Sequence, residues 1–309
     1  MQQSALNRLR DALLPYPQGA ADSALLSAYL SFYNLTFPAS NEYHSGFVNS
    51  GEYQLMTQLW LQPNAVANLL LVHGYYDHTG IYDKVIDYAT SRRCNVLIFD
   101  LPGHGLSTGE RAVIGDFSDY GDAIAAVLNA VELPDLPLFA MGQSTGCAAL
   151  TEFARRYEWP FQQAAMLAPL VRPAGWRGVQ LARTLLSPFV ETLNRKFNSN
   201  SSDLDFLAFV RRDPLQYRRV SLDWLGALQR WLADLPLEDL GVGPVFVIQG
   251  RRDGTVDWRY NMGAIQKLYP GSRIAYLDEA GHQLANESVA IRAEYEAQLD
   301  AYFQLEPLQ

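Results

Sequence analysis

The stretch Leu136-Pro-Leu-Phe-Ala-Met-Gly-Gln-Ser-Thr-Gly-Cys-Ala-Ala-Leu-Thr-Glu-Phe153 decides the fold. Its first six residues form a short, nearly continuous apolar run, the pattern of a strand buried on both faces. From Cys147 onward it reads as a helix. Between the two, Gly142-Gln143-Ser144-Thr145-Gly146 puts a serine on a sharp strand-to-helix turn. Glycine stands on both sides because such a turn leaves no room for a Cβ. The turn presents the Ser144 hydroxyl at the carboxyl edge of a sheet, and the helix N-terminus behind it favours developing negative charge.

Similar apolar runs recur at 67–72, 95–99, 164–167, 245–248 and 273–277, with 54–62 reading as an edge-type strand. Helical stretches at 81–90, 117–131, 147–157 and 260–267, and a final helix, alternate with them. Alternation of this kind predicts a right-handed βαβ succession, hence an α/β, mostly parallel, doubly wound sheet. Residues 1–40 read as an N-terminal helical extension: Leu25, Leu26, Tyr29, Leu30 and Tyr33 share a face after Asp22 and Ser23, and Pro38 ends the run. Residues 169–240 show helical periodicity and no strand, with Leu181, Leu185, Phe189, Phe197, Phe206, Trp224 and Trp231 among their apolar positions and a polar joint at 198–202. So long an interval between consecutive strands predicts a helical cap inserted after the sixth strand, leaving 41–168 and 241–309 as the core.

The chain has 309 residues, 49% of them hydrophobic, enough to bury a core without staples. With 24 Lys+Arg against 33 Asp+Glu the net charge is -9, and no basic run exceeds two residues, which argues against nucleic acid as a partner. The cap departs from this balance, carrying ten Lys/Arg and eight Asp/Glu. Only Cys94 and Cys147 are present, so neither a disulfide framework nor a repeated Cys-x-x-Cys metal spacing exists. No secretory leader and no run of 18 apolar residues is found; the expectation is a cytoplasmic protein, monomeric or weakly oligomeric.

A serine hydroxyl needs a base within hydrogen-bond reach. A second Gly-x-Ser-x-Gly, Gly105-Leu-Ser107-Thr-Gly109, lacks the strand-to-helix context, so Ser107 reads as a loop residue and Ser144 as the nucleophile. Of His44, His73, His78, His104 and His282, only His282 follows Ser144, in a loop between a strand and the final helix from which an imidazole can reach over the sheet edge. The orienting carboxylate is assigned to Asp253, in the tight turn ending the strand at 245–248, while Asp257 reads as the cap of the next helix. Two backbone N–H groups should receive an oxyanion: Thr145, which follows the nucleophile, and Tyr75, in the loop after 67–72. His73, Gly74 and His78 read as residues shaping that loop rather than as metal ligands. No metal and no organic cofactor is implied.

These motifs resemble the α/β-hydrolase superfamily, which has the same chain order Ser144, Asp253, His282. Within it they resemble the lysophospholipase and monoacylglycerol-lipase branch, a serine-aminopeptidase-like group. Four blocks carry the likeness: His73-Gly-Tyr-Tyr-Asp-His-Thr-Gly-Ile-Tyr, Asp100-Leu-Pro-Gly-His-Gly-Leu-Ser-Thr-Gly, the elbow Gly142-Gln-Ser-Thr-Gly, and Gly281-His-Gln-Leu-Ala-Asn-Glu. Asp213-Pro-Leu-Gln-Tyr resembles a further segment. The branch usually reads Gly-His-Ser-Met-Gly-Gly at the elbow, where this chain has Gln143, Thr145 and Cys147, and has a second glycine in the oxyanion loop, where this chain has Tyr76. Cys147 reads as a packing residue.

The resemblance implies the α/β-hydrolase fold and a serine hydrolase cleaving carboxylic esters through an acyl-enzyme. The expected substrate is a small-molecule acyl ester, an apolar acyl chain on a small polar alcohol, and the cap is a candidate for transient contact with a membrane surface. Alternatives are an aminopeptidase or amidase of the same fold, and a ligand-binding relative without turnover.

Overall fold

The computed structural model describes residues 1–37, 42–195 and 199–307; Pro38, Phe197 and Asn198, singled out above, lie outside them. Two helices, α1 (Gln3–Ala12) and α2 (Ser23–Phe32), stand where the sequence read as one helical extension. Pro15 and Pro17 deny the intervening passage a helix interior. It lies instead along β1 (Glu42–Ser50), where the Tyr16 N–H donates to Phe47 O at 3.0 Å and the Gly19 N–H to Ser45 O at 2.7 Å. The extension thereby covers an edge that would otherwise expose unpaired backbone groups.

The core sheet continues through β2 (Tyr53–Leu61), β3 (Ala67–Val72), β4 (Cys94–Phe99), β5 (Leu138–Gln143) and β6 (Gln163–Leu167). Two three-residue strands follow, β7 (Thr192–Asn194) and β8 (Arg219–Ser221), and then β9 (Phe246–Gly250) and β10 (Arg273–Leu277). Eight strands pair in the order β1-β2-β4-β3-β5-β6-β9-β10. The β1–β2 and β2–β4 pairs are antiparallel and the others parallel. The strand expected at the edge, 54–62, is therefore internal. The edge belongs to β1, whose polar, glycine-containing sequence shows neither an apolar run nor alternation, so its pairing partner alone makes it a strand.

Side chains alternate between faces along a strand. In β3, Leu69 and Leu71 meet one apolar layer, and Leu70 and Val72 the other. The first layer is built by α1, α2, α3 (Asp83–Thr90) and α10 (Val289–Phe303), through residues such as Leu9, Tyr29, Ile86 and Leu299. The second comes from α4 (Ser118–Ala130), α5 (Thr145–Arg156), α8 (Leu222–Asp234) and α9 (Trp258–Leu268), through Ile124, Leu150, Leu228 and Ile265. Burial on both faces is why the central strands read as continuous apolar runs.

Between β6 and β9 the chain forms α6 (Trp176–Leu186), α7 (Leu204–Val210) and α8, with β7 and β8 paired antiparallel. The interval was read as strand-free, and three residues are too few to show a period of two. α8 is anchored to the helical layer: Trp224 Nε1 donates to the Tyr120 hydroxyl and Trp231 Nε1 to Glu152 Oε2, both at 2.9 Å. α6 has no buried residue.

A buried trio staples the N-terminal extension, the loop after β3 and the inserted segment together. Asp213 accepts from the Tyr33 hydroxyl at 2.7 Å and from His78 Nε2 at 2.8 Å, with both ionisable side chains fully shielded from solvent. Burial opposes charge on each. The Asp213 charge and hydrogen bond, aided by Asp100 and Asp77, nevertheless hold the His78 pKa above its ordinary value. His78 and Tyr33 likewise hold Asp213 below its own. A depressed carboxylate stabilises above its unfolded pKa and loses that benefit as pH falls; a raised imidazole stabilises below its unfolded pKa and loses it as pH rises. Asp213→Asn is thus expected to lower the melting temperature by a margin widest between about pH 4 and 6.5, the ordinary Asp and His titration points. Melting curves of both proteins across that range check this; a margin independent of pH would refute an ionised pair.

Candidate active site

β5 runs directly into Ser144, whose backbone sits at φ 53°, ψ −112°, a region costly for a residue with a Cβ. The strained turn is held from both ends. The Ser144 N–H donates to Leu167 O at 2.9 Å, and Ser144 O accepts from the Cys147 and Leu170 N–H groups at 3.0 and 3.1 Å. A Cβ on Gly146 would lie 2.0 Å from Val72 O, so α5 presses against the end of β3 as only glycine permits. Gly146→Ala is expected to destabilise the protein by about 3 kcal/mol, the upper range of overpacking costs, and to lower activity with it. Thermal melting reads the first effect; an unchanged melting temperature would mean that the elbow can give way.

The structure brings Ser144, His282 and Asp253 together. His282 Nε2 lies 2.9 Å from Ser144 Oγ, and His282 Nδ1 lies 2.7 Å from Asp253 Oδ2. All three side chains are buried. Asp253 Oδ1 also accepts the Thr255 and Val256 N–H groups at 2.8 and 3.2 Å, and Oδ2 accepts from Gln249 Nε2 at 3.2 Å. Burial pushes this carboxyl up, but His282 and the two amides outweigh it and hold the pKa below the usual value. Asp257 is committed elsewhere, capping α9 at the Tyr260 N–H and pairing with Arg172 at 2.7 Å. A hydroxyl, an imidazole and a carboxylate in line can pass a proton from the first to the second while the third steadies the resulting cation.

Tyr75 and Thr145 line the cleft beside Ser144, and among the described residues neither backbone N–H donates a hydrogen bond. The loop approaches so closely that a Cβ on Gly74 would lie 3.4 Å from the Ser144 Cβ. Tyr75 is fixed by its hydroxyl, which donates to Ala112 O at 2.7 Å, and by stacking on Trp224 at 3.8 Å. Tyr76 takes φ 70°, the left-handed backbone that a glycine usually supplies here in the related branch.

The remaining candidates serve the scaffold. His73 donates from Nδ1 to Gly74 O at 2.8 Å and accepts the Leu101 N–H on Nε2 at 2.9 Å. Burial lowers the pKa values of His73 and His104 to about 3, so both are neutral. Ser107 donates to Asp100 O and accepts from Met56, as a loop residue. The Cys147 thiol, pushed up by burial, lies 3.1 Å from Gly142 O and is no second nucleophile.

Two supporting roles escaped the reading of the sequence. Gln143, noted only as a departure from pattern, donates from Nε2 to His282 O at 2.9 Å and accepts the Ala285 N–H on Oε1 at 3.3 Å, tying the histidine loop to the elbow. Asp77 receives Gln283 Nε2 at 2.7 Å and the Tyr82 hydroxyl at 3.1 Å, joining the loop after β3 to the residue that follows His282. The adjacency Gln283-to-His282 was the available signal; its partner lies two hundred residues away and carries none.

The site opens into a cleft of about 440 Å³, within the range of small-molecule sites. Its lining is largely apolar, with Leu170, Val179, Phe206, Leu207, Val210 and Leu228 among the residues that form it.

A family model described as serine aminopeptidase, S33 matches residues 63–289, which contain the elbow, both partner loops and the inserted segment. The chain belongs to this family. As an S33-family α/β-hydrolase it is similar to the phospholipase YtpA of Bacillus subtilis, at 26% identity over 64% of this chain and 80% of that protein. It is similar also to the mouse monoglyceride lipase, at 27% identity over 68% and 73% of the respective chains. Among solved structures, a soluble variant of the Saccharomyces cerevisiae monoglyceride lipase superposes with a TM-score of 0.72 at 18% identity, covering 86% of this chain and 97% of the other. That likeness bears on the fold. In this S33 member helices cover both faces of the sheet, and the inserted segment lies between β6 and β9.

Proposed function

We propose that this protein is a serine carboxylic-ester hydrolase acting on a lysophospholipid or monoacylglycerol type of substrate through an acyl-enzyme. One observation carries the reading: His282 stands 2.9 Å from Ser144 Oγ and 2.7 Å from Asp253. Ser144 Oγ bonds to the ester carbonyl carbon as its proton passes to His282 Nε2. The Tyr75 and Thr145 N–H groups receive the carbonyl oxygen as it becomes anionic. The proton then goes to the departing alkoxide as the C–O bond breaks. A water molecule, deprotonated by the same imidazole, releases the acid and restores Ser144.

The apolar wall supports an acyl chain as the buried part of the substrate. The inserted segment, 169–240, acts as the cap over it, and the core is formed by 41–168 and 241–309. Leu181, Leu185 and Phe189, 61%, 60% and 82% exposed, lie on α6 and just beyond it and supply the surface through which the cap meets a lipid interface; no helix among the described residues is long and apolar enough to cross a membrane. The aminopeptidase alternative needs a carboxylate to receive a substrate ammonium. Among the described residues lining the cleft the only acid is Asp77, and its oxygens are already taken by Gln283, Tyr82 and the Gly74 N–H.

A fluorophosphonate probe tests the proposal. The wild type should be labelled and Ser144→Ala should not. Labelling that persists in the variant, or fails in the wild type, would remove Ser144 as nucleophile.

A further inference from the structure

The charge of the cleft differs from that of the molecule around it. The chain carries a net charge of -9, yet among the described residues the cleft is lined by two guanidinium groups, Arg195 and Arg211, against the single carboxyl of Asp77. Asp77 is occupied by the Gln283 amide, the Tyr82 hydroxyl and the Gly74 N–H, while burial pushes its pKa up. Arg195 is held in place rather than left to solvent. Its Nη1 donates to Gln216 Oε1 at 3.0 Å and to Tyr217 O at 3.2 Å, and its guanidinium carbon lies 3.9 Å from the centre of the Tyr76 ring. Gln216, itself buried, donates from Nε2 to Tyr76 O at 3.0 Å. Arg195 is thereby bound twice over, by stacking and through Gln216, to the residue directly after the Tyr75 N–H. This positions a cation one residue from where the ester oxygen is to be received.

Apolar side chains and a held guanidinium line the same cleft as Ser144, so an acyl chain and an anionic group of one substrate could be received together. A planar guanidinium whose orientation is already set loses little freedom on meeting a phosphate, which it can grip with two parallel N–H groups.

We propose that Arg195, with Arg211 as an outer guide, forms a subsite for a phosphate on the alcohol portion of the substrate, so that the enzyme prefers lysophospholipid esters to neutral monoacylglycerols. This rests on the serine-hydrolase reading and deepens it. The other role open to Arg195 is support of the oxyanion loop alone, which would serve every ester equally.

The experiment compares two soluble esters with the same acyl chain, octanoylglycerol and octanoylglycerol phosphate, in wild type, Arg195→Gln, Arg195→Lys and Arg211→Gln. The wild type should have the higher kcat/KM for the phosphate ester, and that advantage should shrink as KCl is raised, since salt screens an exposed ion contact. Arg195→Gln should lose about tenfold or more on the phosphate ester, mainly in KM, and less than about threefold on the neutral one, the selectivity pattern of a single lost charge contact. Arg195→Lys should recover part of the difference, and Arg211→Gln should reduce the salt dependence most. Equal losses on both esters, or a wild type that favours the neutral ester, would overturn the subsite while leaving the hydrolase reading intact. Should Arg195→Gln fail to fold, the salt response of the wild type decides: a preference insensitive to KCl overturns the proposal. A wild type that cleaves neither ester and takes no fluorophosphonate label fails at the earlier step, and the subsite falls with it.

Discussion

Ser144→Ala is expected to lower kcat by about 10⁵–10⁶, the scale on which removing the nucleophile of such a triad acts. The size follows from what the hydroxyl does. In the proposed mechanism no acyl-enzyme can form without Oγ, and water would have to attack the ester directly. On the same proposal, residual turnover would come from the N–H groups of Tyr75 and Thr145 and from binding in the cleft, which together would retain some acceleration over water. Binding of substrate should change little, because the alanine keeps the backbone and leaves His282 held by Asp253. The measurement is kcat on a soluble acyl ester beside the affinity of a non-hydrolysable analogue. A fall below a hundredfold would mean that another group attacks the carbonyl.

Asp253→Asn is expected to lower kcat by about 10⁴, the precedent for a triad carboxylate made neutral. The cause is tautomeric as much as electrostatic. Asp253 Oδ2 accepts from His282 Nδ1 at 2.7 Å, which leaves Nε2 free to accept the Ser144 proton. An amide offering its NH₂ group to Nδ1 would drive the proton to Nε2, where the imidazole can no longer act as a base. The carboxylate also steadies the imidazolium formed in the transition state. Asp257→Asn is the matched control: it loses its ion pair with Arg172 and part of a helix cap, with stability altered and kcat kept within about tenfold. If the two variants exchanged their effects, the carboxylate of the relay would be Asp257.

Much of this architecture is legible along the chain because it depends on local pattern. A strand buried on both faces must be apolar throughout, as β3, β4 and β5 are, and a nucleophile elbow must have glycine where Gly146 meets Val72 O. β1 was invisible for the converse reason: its residues carry no periodicity, and its backbone becomes a strand only because β2 and the N-terminal passage pair with it on its two sides. The position of 54–62 in the sheet was misread with it, since an edge cannot be assigned while a strand is missing.

The α/β class and the turn that carries Ser144 are legible in the sequence alone, since each needs only neighbouring residues and the periods of strand and helix. Tertiary structure decides what distant residues do to one another: that Tyr33 and His78 both donate to the buried Asp213, that the Gln143 amide holds the loop of His282, and that Arg195 lies on Tyr76. Such pairings are fixed by the packing of separate elements. Hydrogen bonds and ion contacts between them act over a few ångströms in space and leave no mark on the spacing of residues along the chain.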